Sequence, residues 1–142
     1  MIHHAALSKY EFEQFISNKA IDLQFQKTLN ITTEVSSQEN SLNRLLLKAT
    51  RSNNEEKFLA LYDAAMRNLE IILLYNSLLI TKTPHLVLKK VVQKLDPTFE
   101  IIQLVEKRHQ IKKLGAYAEL NDLELVGRLL NLLSEKISMW YK

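Results

Sequence analysis

Two glycines and two prolines in 142 residues leave this chain few means of turning sharply. A sheet protein reverses direction every ~8–12 residues and needs turn residues each time it does so, so the scarcity argues against an all-β fold. Leu, Lys, Glu and Ala fill the chain instead, and these lose little side-chain freedom in a helix. Hydrophobic residues at 46% suffice for a core and charged residues at 25% for a wetted surface. The length suits one domain of ~100–200 residues. The sequence therefore predicts a single all-α domain, a compact helical bundle of five to six helices with an up-down four-helix core. Within it, 1–35 supply an N-terminal helix and a connection, and 36–142 form the bundle core.

The absence of cysteine removes disulfides, thiolate nucleophiles and thiolate zinc sites together. The opening "MIHHAALSKYEFEQF" turns polar too early for a secretory signal. The longest apolar run, "IILLYNSLLI", is interrupted by polar residues and falls well short of the ~20 residues that a membrane span needs. The expectation is a soluble, cytoplasmic protein with no membrane partner.

Helix starts are marked by residues whose side chains satisfy free backbone amides. Ser8 with Glu11 forms a capping box that opens a helix over roughly 9–18. Residues 19–29 remain open between helix and extended chain, and "NITTEVSSQEN" at 30–40 reads as a connection. Ser36 with Glu39 is a second box, predicting a helix to about Arg51, with Leu42, Leu45, Leu46 and Ala49 on one face. After "SNN" a long helix runs from about Asn54 to Ile80, apolar at Phe58, Leu61, Tyr62, Ala65, Leu69, Ile72 and Leu73. Its end, Ile71 to Ile80, carries more Leu and Ile than one side needs, and burial across a dimer would account for that. Thr83 caps a helix over 84–95, with Pro84 at its first position, where the missing amide proton costs nothing. Asp96-Pro97 repeats the device for a helix over 97–113, and Gly115 stops it. Asn121 with Glu124 opens a terminal helix to Trp140.

The formal charge of +3 is unevenly spread. Residues 1–71 hold 8 Lys and Arg against 9 Asp and Glu, whereas 72–142 hold 11 against 7. The excess concentrates in 82–113, with 8 against 3, and ends at "RHQIKKLGAY" over 108–117. Such a stripe attracts phosphate when its cations are free, and is an ordinary solvated helix face when they are not. Arg108 and Lys112, one turn apart, suit a phosphate clamp unless Glu106, Glu119 or another acid engages them. His109, Lys113 and Tyr117 complete the candidate nucleic-acid or phosphate-binding set, with Tyr117 either stacking on a base or hydrogen-bonding within the bundle. His109 has lysines where helical metal ligation needs His, Asp or Glu. No serine–histidine–acid set and no glycine-rich phosphate loop is recognisable, so no metal, cofactor or catalytic residue is assigned.

Two resemblances bear on function. "HQIK", His109 to Lys112, resembles the H-x-x-K of histidine phosphotransfer domains, which implies a signalling bundle phosphorylated on His109. That family places a small residue one turn after its histidine, where Lys113 stands here. The stretch "LYDAAMRNLEIILLYNSLLITKTPHLVLKKVV", 61–92, resembles the second and third core helices of HEPN domains, nucleotide- and RNA-associated bundles of bacterial defence systems. Tyr62, Ala64, Ala65, Leu69, Leu73, Leu74 and His85 occupy that pattern. "KKLGAY" is similar to the ending of the family's fourth helix, with Lys112 where Arg is usual and Tyr117 retained. "NDLELVGRLLNLLSEKI" is similar to its closing helix. The resemblance covers about 40–140. It implies a homodimer formed through the helix carrying Arg108. It also implies binding of RNA or nucleotide, or regulation of a partner nucleotidyltransferase or an antitoxin partner. Ribonuclease members follow their arginine with a histidine after four to six residues, but Lys113, Leu114 and Gly115 stand at the positions required after Arg108. Lysine does not shuttle protons near neutral pH without a large pKa depression, so a binding or regulatory module is expected rather than an enzyme. A purely structural interaction protein stays open beside these two.

Overall fold

The computed structural model describes residues 23–25, 30–75, 78–80 and 83–140. The protein is an all-α helical bundle. Its described helices are α1 (Ile31–Ala49), α2 (Asn54–Leu74), α3 (Pro84–Leu95), α4 (Ile101–Leu114) and α5 (Leu120–Trp140). One short antiparallel ribbon pairs β1 (Leu23–Phe25) with β2 (Leu78–Ile80), in the register Leu23↔Ile80, Gln24↔Leu79, Phe25↔Leu78.

Helix α2 is the axis of the bundle. Phe58, Tyr62, Ala65, Leu69, Ile72 and Leu73 recur on its inner faces and are buried together with residues from three other helices. Those are Val87, Leu88, Val91 and Val92 of α3, Ile101, Leu104 and Ile111 of α4, and Val126, Leu129 and Leu133 of α5. Helix α1 lies outside this four-helix core and packs on the remaining face of α2, closing a smaller cluster of Val35, Ile71 and Leu74 with Leu42 and Tyr75. The leucine-rich end of α2 is thus buried within the chain, Ile71 to Leu74 all being buried. Helix α1 and the core helices cover this part of the run within the chain. Asn68 is the one buried polar residue among those described, and its amide donates to Ser134 Oγ of α5 at 2.9 Å.

Several boundaries differ from the sequence reading, each for a local reason. Helix α1 opens at Asn30, whose Oδ1 accepts from the Thr33 amide at 3.1 Å. The segment read as a connection is therefore its first half, and Ser36 and Glu39 lie inside the helix. An Asn cap is as good as Ser, and a serine within a helix costs only tenths of a kcal/mol. Helix α2 begins as expected, with Asn53 Oδ1 accepting from the Glu56 amide. It stops at Leu74 instead of continuing to Ile80, because Leu78–Ile80 pairs with Leu23–Phe25. An apolar run suits helix and strand alike, and the partner strand decides.

Thr83 precedes α3 as expected but makes no side-chain cap. Its backbone is left-handed, at φ 49°, and its carbonyl accepts from the Leu86 and Val87 amides. The following proline disfavours the right-handed region at Thr83. Asp96 and Pro97 form a turn rather than a helix start, with Asp96 Oδ1 accepting from the Thr98 amide and hydroxyl, and α4 begins only at Ile101. Gly115 ends α4 at φ 71°, the left-handed stop expected of it. Helix α5 starts before Asn121, and the carboxylate that accepts at its entrance is Asp122, from the Glu119 amide at 2.9 Å. The box over Ser8 and Glu11, the helix over 9–18 and most of 19–29 lie outside the described residues.

The two competing starts for α1 separate by substitution. Asn30→Ala should lower the unfolding free energy in urea by about 1 kcal/mol, whereas Ser36→Ala should leave it within a few tenths. Equal losses at both positions would return the helix start to Ser36.

Candidate functional site

Three helices meet around one buried phenol. Tyr62 on α2 is fully enclosed, and a buried hydroxyl needs a hydrogen-bond partner. His85, in the first turn of α3, supplies it, with Nδ1 at 2.9 Å from the Tyr62 hydroxyl. The other ring nitrogen of His85 faces Arg108 of α4, with Nε2 at 3.4 Å from the guanidinium Nη1. The guanidinium carbon sits 5.0 Å from the centre of the Tyr62 ring, a cation–π distance. Arg108 Nη2 lies 3.7 Å from Asp63 Oδ1.

A hydrogen bond from Arg108 to His85 requires one histidine tautomer. Arginine has donors only, so His85 Nε2 must accept with its lone pair. The ring proton then resides on Nδ1 and donates to the Tyr62 oxygen. Burial raises the Tyr62 pKa, so the group stays a neutral phenol despite the neighbouring guanidinium, which acts the other way. His85 is pushed below its ordinary value of 6.5, first by burial and then by Arg108, with Lys112 and Lys89 adding to the effect and Asp63 opposing it. Cations from two helices therefore act on one imidazole.

The five residues singled out from the sequence do not form one set. Arg108 is turned inward, its side chain only 15% exposed, and the acid it meets is Asp63, not Glu106 or Glu119. Its Nε–H is buried with no acceptor among the described residues. His109 is exposed, yet it lines the same open cleft of about 400 Å³ as His85, Val105, Glu106 and Arg108. Lys112 is exposed and close enough to His85 to act on it electrostatically. Lys113 is exposed, and Tyr117 is 81% exposed at the end of α4, which removes a role for it inside the bundle. Lys107, not singled out before, bridges to Asp122 of α5 at 3.3 Å.

Sequence reasoning missed Asp63 and the part taken by His85. Among the described residues, no three His, Asp or Glu side chains are grouped as a metal site requires. No described helix is long and apolar enough to cross a membrane. The fold and site define an all-α bundle with a part-buried Tyr–His–Arg–Asp cluster beside a cleft that His85 and Arg108 line with Glu106 and His109. No family model, curated protein or solved structure matches the chain.

A neutral His85 links stability to pH. In the unfolded chain the imidazole takes up a proton near 6.5, whereas the fold resists until lower pH. The contribution to stability is complete above 6.5 and is lost as pH falls through the depressed folded value. Glu70, raised by burial against its partner Arg67, acts in the opposite sense nearer its ordinary 4.5, so the test belongs above that range. Between about pH 7.5 and pH 5.5 the melting temperature should fall, and His85→Gln should fall less. Gln supplies both an acceptor for Arg108 and a donor for Tyr62 without titrating. Parallel curves for the two proteins would show that His85 does not carry the effect.

Proposed function

We propose that this chain is a HEPN-like helical module that binds RNA or nucleotide through its phosphates and acts as a homodimer or with a partner such as a nucleotidyltransferase or antitoxin. The observation that carries the reading is the gathering of cations from two helices around His85, which lines a cleft. Lys89 of α3 and Arg108 and Lys112 of α4 all act on His85, and His109 lines the same opening. Three of the eight cations read along 82–113 thus act on one imidazole. Only Asp63 and Glu106 oppose them among the acids placed there. Leu114, Tyr117 and Leu120 add support for association. They stand 72%, 81% and 78% exposed where α4 gives way to α5, and a group of large exposed side chains suits a protein partner.

The exposed His109, with Lys112 and Lys113 one turn on, favours a second reading as a phosphotransfer histidine. An acid-labile phosphate on His109 after incubation with a phosphorylated receiver domain would move the function to that class.

Binding through phosphates has a salt signature. Affinity for a labelled single-stranded RNA should fall as salt rises, with a log–log slope of about −0.7 per phosphate neutralised. Replacing Lys112 and Lys113 together by Ala should make that slope shallower by about 1.4. Fluorescence anisotropy across a salt series measures both. Salt-indifferent binding, or an unchanged slope in the double variant, removes these lysines from the contact face.

A further inference from the structure

Arg108 is the arginine on the wall of the cleft, and its guanidinium is not free for use. Its Nε–H is buried without an acceptor among the described residues. Its contacts to His85 and Asp63, 3.4 and 3.7 Å, are both longer than a strong charged hydrogen bond of ~2.7–2.9 Å. The guanidinium is therefore stored against the Tyr62 ring rather than presented. We propose that His85 is a proton-operated latch on Arg108, holding it closed when the ring is neutral and releasing it into the cleft to take a phosphate when the ring is protonated. The proposal rests on the phosphate-binding reading above and concerns how that site is regulated.

The asymmetry of the two ring nitrogens supplies the mechanism. With Arg108 donating to Nε2, the ring proton on Nδ1 faces the Tyr62 oxygen in either protonation state, so the buried phenol anchors the ring. Protonation changes only Nε2, which turns from an acceptor into a donor. Two positively charged donors then face each other across 3.4 Å, and one has to move. His85 is tied to Tyr62, whereas Arg108 keeps only Asp63, whose side chain is 40% exposed, and the face of the Tyr62 ring. Arg108 moves, and the cleft beside it, with His85, Glu106 and His109 on its walls, is the space available.

The charged and titratable groups around His85 set how easily this happens. From α2 these are Tyr62 and Asp63, from α3 Lys89, and from α4 Arg108 and Lys112, with Glu106 and His109 lining the same cleft. Lys89, Arg108 and Lys112 resist protonation and Asp63 assists it. A bound phosphate adds negative charge on the side of Asp63. Ligand and proton should therefore promote each other's binding by equal factors, as linkage requires.

The test uses the whole chain and a short fluorescein-labelled oligouridylate, whose phosphodiesters do not titrate in the range used. At constant ionic strength, affinity should rise about tenfold from about pH 7.5 to about pH 5.5. His85→Gln, locked in the neutral hydrogen-bonding pattern, should lose most of that rise, and His109→Gln should retain most of it. Asp63→Asn, which removes the other restraint at a half-exposed position, should tighten binding near neutral pH. In the unsubstituted protein, the Arg108 Nε–H resonance should shift with the same midpoint as the His85 ring protons. A rise that survives His85→Gln, or disappears in His109→Gln, overturns the latch, as does an Arg108 resonance indifferent to His85. Salt-sensitive binding with no pH response also defeats the latch and leaves the phosphate-binding reading standing. No binding at either pH, in the wild type or in Asp63→Asn, defeats both.

Discussion

Helix α2 has almost no face to give to water, and the rest of the structure follows from covering it. Its small residues Ala60, Ala64 and Ala65 are buried alongside the large ones, Phe58, Leu69 and Ile71 to Leu74. Neighbouring helices can therefore approach closely on more than one side. Helix α1 takes one side, and α3, α4 and α5 share the others. At ~25 cal/mol per Å² of apolar surface removed from water, a helix enclosed in this way accounts for much of the drive to fold. Any group it carries inward must fit an interior where unpaired polar atoms are costly. Asn68 meets that demand through Ser134. Tyr62 meets it through His85, and that second solution creates the candidate site.

The Tyr62 hydroxyl, able to donate or accept, can pair with His85 Nδ1 in either tautomer. The group facing Nε2 from α4 therefore decides which nitrogen carries the proton. Arg108 is that group, a donor, and its flat cation also covers the Tyr62 ring. The cluster is thus a consequence of packing before it is a candidate for chemistry. Its strained features are the ones that packing does not require. A core built only for stability gains nothing from a buried guanidinium Nε–H without an acceptor, or from lysines on two helices that weaken the proton affinity of the same imidazole. Leaving a donor unsatisfied costs roughly 1–3 kcal/mol. A site that exchanges this arrangement for a ligand-bound one has a use for that cost.

The architecture was largely legible in the sequence because it rests on signals repeated many times along the chain. Leucine spacing, the poverty in glycine and the stop at Gly115 all pointed to the same bundle. The helix starts were less legible because a capping box is short and carries little information. Ser36 with Glu39 and Asn121 with Glu124 satisfy the pattern while lying inside helices, and Asn30 and Asp122 accept the entrance hydrogen bonds instead. The Ala118 amide, just before α5, donates to Glu55 from the far end of α2, a contact no local pattern encodes. The end of α2 was misplaced for the same reason, since β2 exists only through its pairing with β1. At the site, the basic stripe along α4 was visible as composition. Its division into an inward Arg108 and outward His109, Lys112 and Lys113 was not, because Tyr62 and Arg108 each reach His85 across 23 residues of sequence.

That division changes how the stripe should be understood. Read linearly, Arg108 and Lys112 look equivalent, two cations one turn apart. In the fold they differ in kind. Lys112 is a hydrated point charge whose field reaches the cleft whatever the state of the site, whereas Arg108 is a fork of donors withheld from solvent by a histidine and an aspartate. A surface of freely exposed cations would bind polyanions with little control. On the phosphate-binding reading proposed above, withdrawing the arginine, the cation suited to bidentate contact, would leave weak attraction as the resting state and make firm contact conditional on rearrangement. The imidazole that Arg108 meets comes from α3, where it serves to hold the guanidinium.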